Sequence, residues 1–245
     1  MATAAPASNK TTNQTGRLRD PYLWHRLHSA SGIFPIGFFL LQHLIANSYA
    51  LRGAGPYNTV IKVYGGLPFV AVLEVLLIYV PILYHSIYGF WITAYGKANV
   101  GAYGYGRNWL YFWQRVSGII AFFYIGYHVW HTSLQKYILL WQGDSNPERA
   151  IGYQAMAAQM ADPLTCGIMA VGIIATVFHF TNGVWNFCIR WGITISARSQ
   201  RLTSYACWGL FAVFTLMGLA TINHLHNDGR QGTVTDAPAA AVRKH

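Results

Sequence analysis

An all-α integral membrane protein is the fold class the sequence predicts, and three observations carry that reading. The 245 residues are 53% hydrophobic and 16% aromatic but only 10% charged, against about 25% charged in an ordinary soluble domain. Five apolar stretches are each long enough to cross a hydrocarbon core of about 30 Å, which takes roughly 20 helical residues. Lys and Arg gather in alternate connecting segments, as they do when short loops stay on the cytoplasmic side of a membrane.

The predicted spans cover roughly 31–51, 67–95, 114–141, 163–190 and 203–225. The amino-terminal segment (Lys10, Arg17, Arg19, Arg26), the second loop with its flank (Lys97, Arg107, Arg115) and the fourth loop (Arg190, Arg198, Arg201) hold ten of the seventeen basic residues. These segments are therefore placed in the cytoplasm, with the carboxyl terminus outside. A net charge of +10 borders the spans. It reads as topology bias and contact with anionic lipid, and no nucleic-acid partner is inferred.

Three units follow: a cytoplasmic tail over 1–21, a five-helix membrane domain over 22–225 and an outer tail over 226–245. The first twenty residues are rich in Ala, Thr, Ser and Asn and lack the apolar core of a cleaved signal peptide. Cys166, Cys188 and Cys207 lie in or beside apolar spans without paired spacing, and read as packing residues.

Histidines carry the chemistry. Four of the five spans hold a deep one: His43 in LLQHLIA, His85 in ILYHSIY, His128 in IGYHVWH and His179 in TVFHFTN. A polar side chain at that depth is costly without a partner. Counting about 1.5 Å per residue from each span's entry puts His43 roughly 20 Å and His128 about 22 Å above the cytoplasmic face, whereas His85 and His179 lie about 24 to 27 Å down from the outer one. Two imidazoles at an outer level and two at an inner level are what two bis-histidine haems require; a zinc site wants three or four ligands together. No CxxCH occurs, so any haem, two being expected, is held non-covalently as in b-type cytochromes.

Small residues sit one or more turns from the ligands: Gly32 and Ser117 eleven before His43 and His128, Gly172 seven before His179, Gly89 four after His85. They are read as the flat faces that a planar ring needs. Arg26, His28 and Ser31 at the mouth of the first span, and Arg115 and Ser117 at the third, are candidates for haem propionates or other haem contacts. His131, one turn beyond His128, is the rival for that ligand position. Glu74, a carboxylate well inside a span, is a candidate for proton exchange with a quinone. Pro81 frees the carbonyl of Leu77 and is expected to bend its helix.

The stretches RLHSASGIFPIGFFLLQHL, LPFVAVLEVLLIYVPILYHSIYG, RNWLYFWQRVSGI, YHVWH, FHFTNGVW and WGITISARSQR resemble the dihaem cytochrome b membrane subunit of bacterial succinate:menaquinone oxidoreductases, from about residue 22 to 220. The resemblance implies a five-helix anchor in the cytoplasmic (inner) membrane that carries an FAD-containing flavoprotein and an iron-sulfur subunit. It implies an outer haem on His43 and His128 and an inner one on His85 and His179, and it favours His128 over His131. Menaquinone is the implied electron acceptor or donor. Related fumarate reductases have a glutamate two residues before the fourth-span ligand; here that position is Val177. The chain itself shows no FAD, dicarboxylate or cysteine-cluster motif, so dicarboxylate chemistry is assigned to partners. Two alternatives are a cytochrome b anchor for a hydrogenase or formate dehydrogenase, and a haem-free proton-coupled transporter. The second conflicts with continuous spans and two histidine levels.

Overall fold

The computed structural model describes residues 21–96, 99–144, 146 and 148–232. The two tails outside that range, with Lys10, Arg17, Arg19 and Lys97, lie outside the described residues. Every regular element among the described residues is helical.

The first predicted span is two helices end to end. α1 (Pro21–Ile33) and α2 (Ile36–Ser48) are separated at Phe34 and Pro35, where proline has no N–H for the ladder. A 3₁₀ turn, Tyr49–Arg52, ends the segment, and α3 (Ala54–Gly65) follows. The second span starts as α4 (Val70–Glu74), winds as a π-helix over Val75–Tyr79 and continues as α5 (Val80–Tyr95). Pro81 cannot bond the Leu77 carbonyl, and the wider turn lies at that place; such turns are a recognised source of bends.

α6 (Gly106–His131) is the third long helix. It ends ten residues before the expected boundary, and α7 (Ser133–Trp141) is a separate helix. The break falls at Thr132, whose φ of −125° and ψ of −86° leave the helical region while its hydroxyl bonds back to the His128 carbonyl at 2.6 Å. Short helices α8 (Glu148–Ile151) and α9 (Tyr153–Met160) lead to α10 (Pro163–Arg190). α10 opens with proline at its first turn and the Asp162 side chain accepting the Thr165 N–H, a standard helix start. α11 (Ala197–Arg230) runs five residues past the expected end of the membrane domain. Its extension is held by α9: Tyr153 donates to Asp228 at 2.5 Å, and a Cβ on Gly229 would lie 2.1 Å from the Ala157 carbonyl oxygen.

The long segments pack in chain order: α1 on α5, α5 on α6, α6 on α10, α10 on α11, and α11 back on α2. α1 also touches α10 across the middle. Four of them are long and apolar enough to cross a membrane: 22–52, 70–95, 163–190 and 197–230. α6 has 26 residues, about 39 Å at 1.5 Å per residue, but Arg107, Asn108, Gln114 and Arg115 make it less apolar than the others.

Burial is inside out relative to a soluble bundle. No residue of the apolar window in 70–95 is buried, and Leu76, Leu77, Leu83 and Ile87 are exposed along it, a surface that suits lipid. Among the described residues a dense core lies where α3 and α9 cover α10 and α11, around Tyr57, Tyr153, Met160, Ile173, Val177 and Ile222. Charge divides the ends in the same way. The described acids Glu74, Asp144, Glu148, Asp162 and Asp228 share that covered end, where Lys62 pairs with Glu148 at 3.1 Å and Arg149 with Asp144 at 2.6 Å. At the other end Arg26, Arg107, Arg115, Arg190, Arg198 and Arg201 have no acid near them in the described sequence.

Candidate functional site

The four deep histidines meet in two pairs. His43 on α2 and His128 on α6 face each other with ring centroids 5.7 Å apart and planes 77° apart. His85 on α5 and His179 on α10 are 6.1 Å apart at 89°. Each pair joins two helices, and the pairs share none. Imidazole nitrogens about 2.0–2.1 Å from a shared metal put ring centroids roughly 6 Å apart, so both pairs have the separation of two axial ligands. Among the described residues no group of three or more His, Cys, Asp or Glu is placed to hold a metal ion by itself.

The spacing between the pairs follows from their neighbours. His85 rests on Gly32, where a Cβ would come within 2.6 Å of its Cε1, and His179 rests on Gly118 at 2.8 Å. Gly32 lies eleven residues before His43 and Gly118 ten before His128. At about 1.5 Å per residue the two levels are therefore about 15 Å apart.

Each ring of the His85–His179 pair is oriented by a backbone carbonyl. His85 Nδ1 lies 3.0 Å from the His28 carbonyl oxygen, and His179 Nδ1 lies 2.9 Å from that of Gln114. A carbonyl only accepts, so both Nδ1 atoms carry the hydrogen and both Nε2 atoms keep a lone pair. Among the described residues neither Nε2 has a hydrogen-bond partner. That is the tautomer of a metal-ligating histidine, whose other nitrogen donates to an outer-shell acceptor. Gln114 is locked in turn: its Nε2 donates to the His179 carbonyl at 3.0 Å, and its Oε1 accepts from Asn182 at 2.6 Å.

The residues at the span mouths have distinct surroundings. His28 stacks on His85 with centroids 4.0 Å apart and planes 16° apart, and its Nδ1 is buried without a hydrogen bond. Arg26 lies over the Trp191 ring at 4.0 Å and donates to the Tyr22 hydroxyl at 3.3 Å. Arg115 donates to the Gly96 carbonyl at 2.9 Å and to the Tyr111 hydroxyl, while its Nε is buried without a partner. Ser31 donates to the His28 carbonyl at 2.9 Å and Ser117 to that of Gln114 at 3.2 Å. His28 Nδ1 and Arg115 Nε are thus two buried polar atoms without a partner among the described residues, the kind of atom that a further polar group satisfies. His28→Ala is expected to shift the inner potential without removing a haem; potentiometry of that variant checks it, and loss of a whole haem would mean that the ligand set is wrong.

The small residues expected to face a planar ring lie against protein side chains. Besides Gly32 on His85, a Cβ on Gly172 would meet the Tyr124 ring at 2.0 Å and one on Gly89 the His28 ring at 3.3 Å. His131, the rival to His128, turns its Nδ1 to the Tyr127 carbonyl at 2.8 Å. Val177 is 1% exposed, within the covered core.

Glu74 has partners that sequence reasoning missed. Lys136 on α7 donates to both its oxygens at 2.8 and 3.1 Å, and the Tyr137 hydroxyl donates at 2.5 Å. The Lys136 and Glu74 side chains are 12% and 21% exposed. Nearby, Tyr79 donates to Ser133 at 2.7 Å. Lys136 stood inside the third expected span, and an unexplained lysine in an apolar run is itself a signal that an acid lies across from it.

No protein-family model matches the chain. The succinate dehydrogenase cytochrome b558 subunit of Bacillus subtilis (strain 168) is 38% identical over 201 residues, which cover 82% of this chain and 95% of that protein. With a shared sequence of that extent on an apolar helical bundle, this chain belongs to the succinate dehydrogenase cytochrome b family, the membrane anchor and electron-transfer subunit of that oxidoreductase.

Proposed function

We propose that this chain carries electrons between an iron-sulfur subunit at its arginine-rich end and menaquinone at its acid-rich end, by way of two b haems. The observation that carries the reading is the pair of imidazole pairs, from four separate helical segments, about 15 Å apart along the bundle. His85 and His179 would hold the inner group, and His43 and His128 the outer. Bis-imidazole haem supplies a six-coordinate, low-spin centre for single-electron transfer. The chain's own part is to fix the ring planes, to exclude water by burying them between helices, and to set the potentials through hydrogen bonds. Arg26, His28 and Arg115 are proposed to face the inner propionates.

α6 is proposed as the fifth span, with the amino terminus cytoplasmic and the carboxyl terminus outside. Its polar residues Arg107, Asn108, Gln114 and Arg115 cluster toward the arginine-rich end, where lipid headgroups and a soluble partner meet the bundle. A flavoprotein carrying FAD would dock there through the iron-sulfur subunit and perform the dicarboxylate chemistry.

The quinone site is proposed at Glu74, Lys136 and Tyr137. Full reduction of a quinone adds two electrons and two protons, so its oxygens need donors. Lys136 and Tyr137 are such donors, and Glu74 organises both. Exposed Val72, Leu73, Val75 and Leu76 beside Glu74 give an isoprenoid tail an apolar surface. Succinate added to the purified complex should reduce both haems, and a menaquinone analogue should then reoxidise them. Absence of any haem reduction by succinate in an intact complex would refute the proposed route.

A further inference from the structure

The two inner ligands rest on the same device, built twice. On α1, the His28 carbonyl accepts the His85 N–H, Ser31 three residues on donates to that carbonyl, and Gly32 makes room for the ring. On α6, the Gln114 carbonyl accepts the His179 N–H, Ser117 three residues on donates to it, and Gly118 makes room. Position, order and spacing coincide, although the two cradles sit on different helices and serve ligands on different partners, α5 and α10. The shared sequence is only S-G, preceded by any residue whose carbonyl lies one turn back.

Each cradle carbonyl is crowded. In a helix it already accepts the N–H four residues on, and here the serine hydroxyl and the imidazole N–H aim at it too. An oxygen with two lone pairs cannot serve three donors at full strength. The serine hydroxyls also approach the ligand nitrogens themselves, but at 3.3 Å for Ser31 and 3.5 Å for Ser117, longer than the 3.0 and 2.9 Å of the carbonyls. Competition for the carbonyl is therefore the stronger of the two effects.

We propose that Ser31 and Ser117 are positioning residues that raise the potential of the inner haem by weakening the carbonyl bond to each axial imidazole. The proposal rests on the reading of His85 and His179 as the inner ligands. A strong Nδ1–H···O=C bond makes an imidazole more basic, and a more basic ligand favours the oxidised iron. By drawing off part of the carbonyl's acceptor strength, each serine favours the reduced form. Neither ring of the outer pair has a described serine bonded to it, so the device biases one level relative to the other and makes the inner level the better electron acceptor for a partner at the arginine-rich end.

Potentiometric titration of the intact complex, with electron paramagnetic resonance of the oxidised form, tests this in Ser31→Ala, Ser117→Ala and the double variant. The inner potential should fall in each, further for Ser31 with its shorter bond, and furthest in the double variant, while the outer potential stays unchanged. Ser31→Thr and Ser117→Thr retain a hydroxyl able to reach a carbonyl three or four residues back and should keep the wild-type potential. An unchanged or raised potential in the alanine variants overturns the proposal, as does loss of the inner signal, which would make the serines necessary for haem retention. His85→Ala, run in parallel, separates the two readings. If it leaves both haems in place, the ligand assignment itself is wrong; if it removes one while the serine variants show no shift, only the tuning proposal fails.

Discussion

Replacing His85 or His179 with alanine is expected to remove one whole low-spin b haem per chain and to leave the other with its potential nearly intact. The two rings sit 6.1 Å apart on α5 and α10, each fixed through Nδ1 to a carbonyl on a third or fourth helix, so the loss of either leaves a single axial ligand. Both rings and the carbonyls that hold them come from α1, α5, α6 and α10, at the end proposed to meet the iron-sulfur subunit. Weaker assembly of the complex should therefore accompany the loss. His43→Ala or His128→Ala should remove the other haem with less effect on assembly, because those rings lie about 15 Å farther along the bundle. Optical difference spectra and haem-to-protein ratios of the four variants check the expectation. Retention of both haems in any one of them would remove that histidine from the ligand set.

Glu74→Gln is expected to lower quinone turnover on the order of 10²-fold, the lower range for losing a positioned proton-transfer group, while succinate still reduces both haems. The carboxylate is held by Lys136 at 2.8 Å and Tyr137 at 2.5 Å. An amide keeps the shape of the site, but not the charge that holds an ammonium at a largely apolar surface. Lys136→Met should act in the same direction and leave the carboxylate without its cation, held by Tyr137 alone, a costly state in a partly buried site. Stopped-flow reoxidation of prereduced complex by a menaquinone analogue isolates this step from haem reduction. Unchanged reoxidation in Glu74→Gln would move the quinone site elsewhere in the bundle.

Local signals in the sequence were enough for some elements. α10 has the boundaries expected for the fourth span, Pro163 and Arg190, since aspartate and proline open it and the apolar run ends at an arginine. The histidine pairs were legible from depth alone, because alternation of span direction puts His43 near His128 and His85 near His179. Where tertiary contacts decide, the sequence was silent. Past His131 the sequence turns polar only over Thr132, Ser133, Gln135 and Lys136 before the apolar run YILLW resumes, and with no glycine or proline there the end of α6 was not read. The start of α1 at Pro21 was hidden by His25, Arg26 and His28, which lowered hydropathy without breaking the helix. α11 was cut short at 225 because its last turns are polar, and contacts with Tyr153, Ala157 and Met160 of α9 explain why they remain helical.

The site itself divides in the same way. His28 and Ser31 were visible at the first span's mouth, but Gln114, which holds His179 by its carbonyl and its amide, was passed over. A comparison of HSASG with QRVSG, position by position, would have found it. Lys136 and Tyr137 lie 62 and 63 residues from Glu74, and no periodicity joins them. The alternative of a hydrogenase or formate dehydrogenase anchor fell to the 38% identity with a succinate dehydrogenase subunit, not to any one residue.

We propose that four helical segments hold two haems in two imidazole pairs. A reduced-minus-oxidised spectrum combined with a potentiometric titration and a haem-to-protein ratio, on the purified complex, tests it most directly. Two low-spin b haems per chain, titrating at separated potentials, are expected. One haem or none per chain would contradict it, since at least one imidazole pair would then be packing alone.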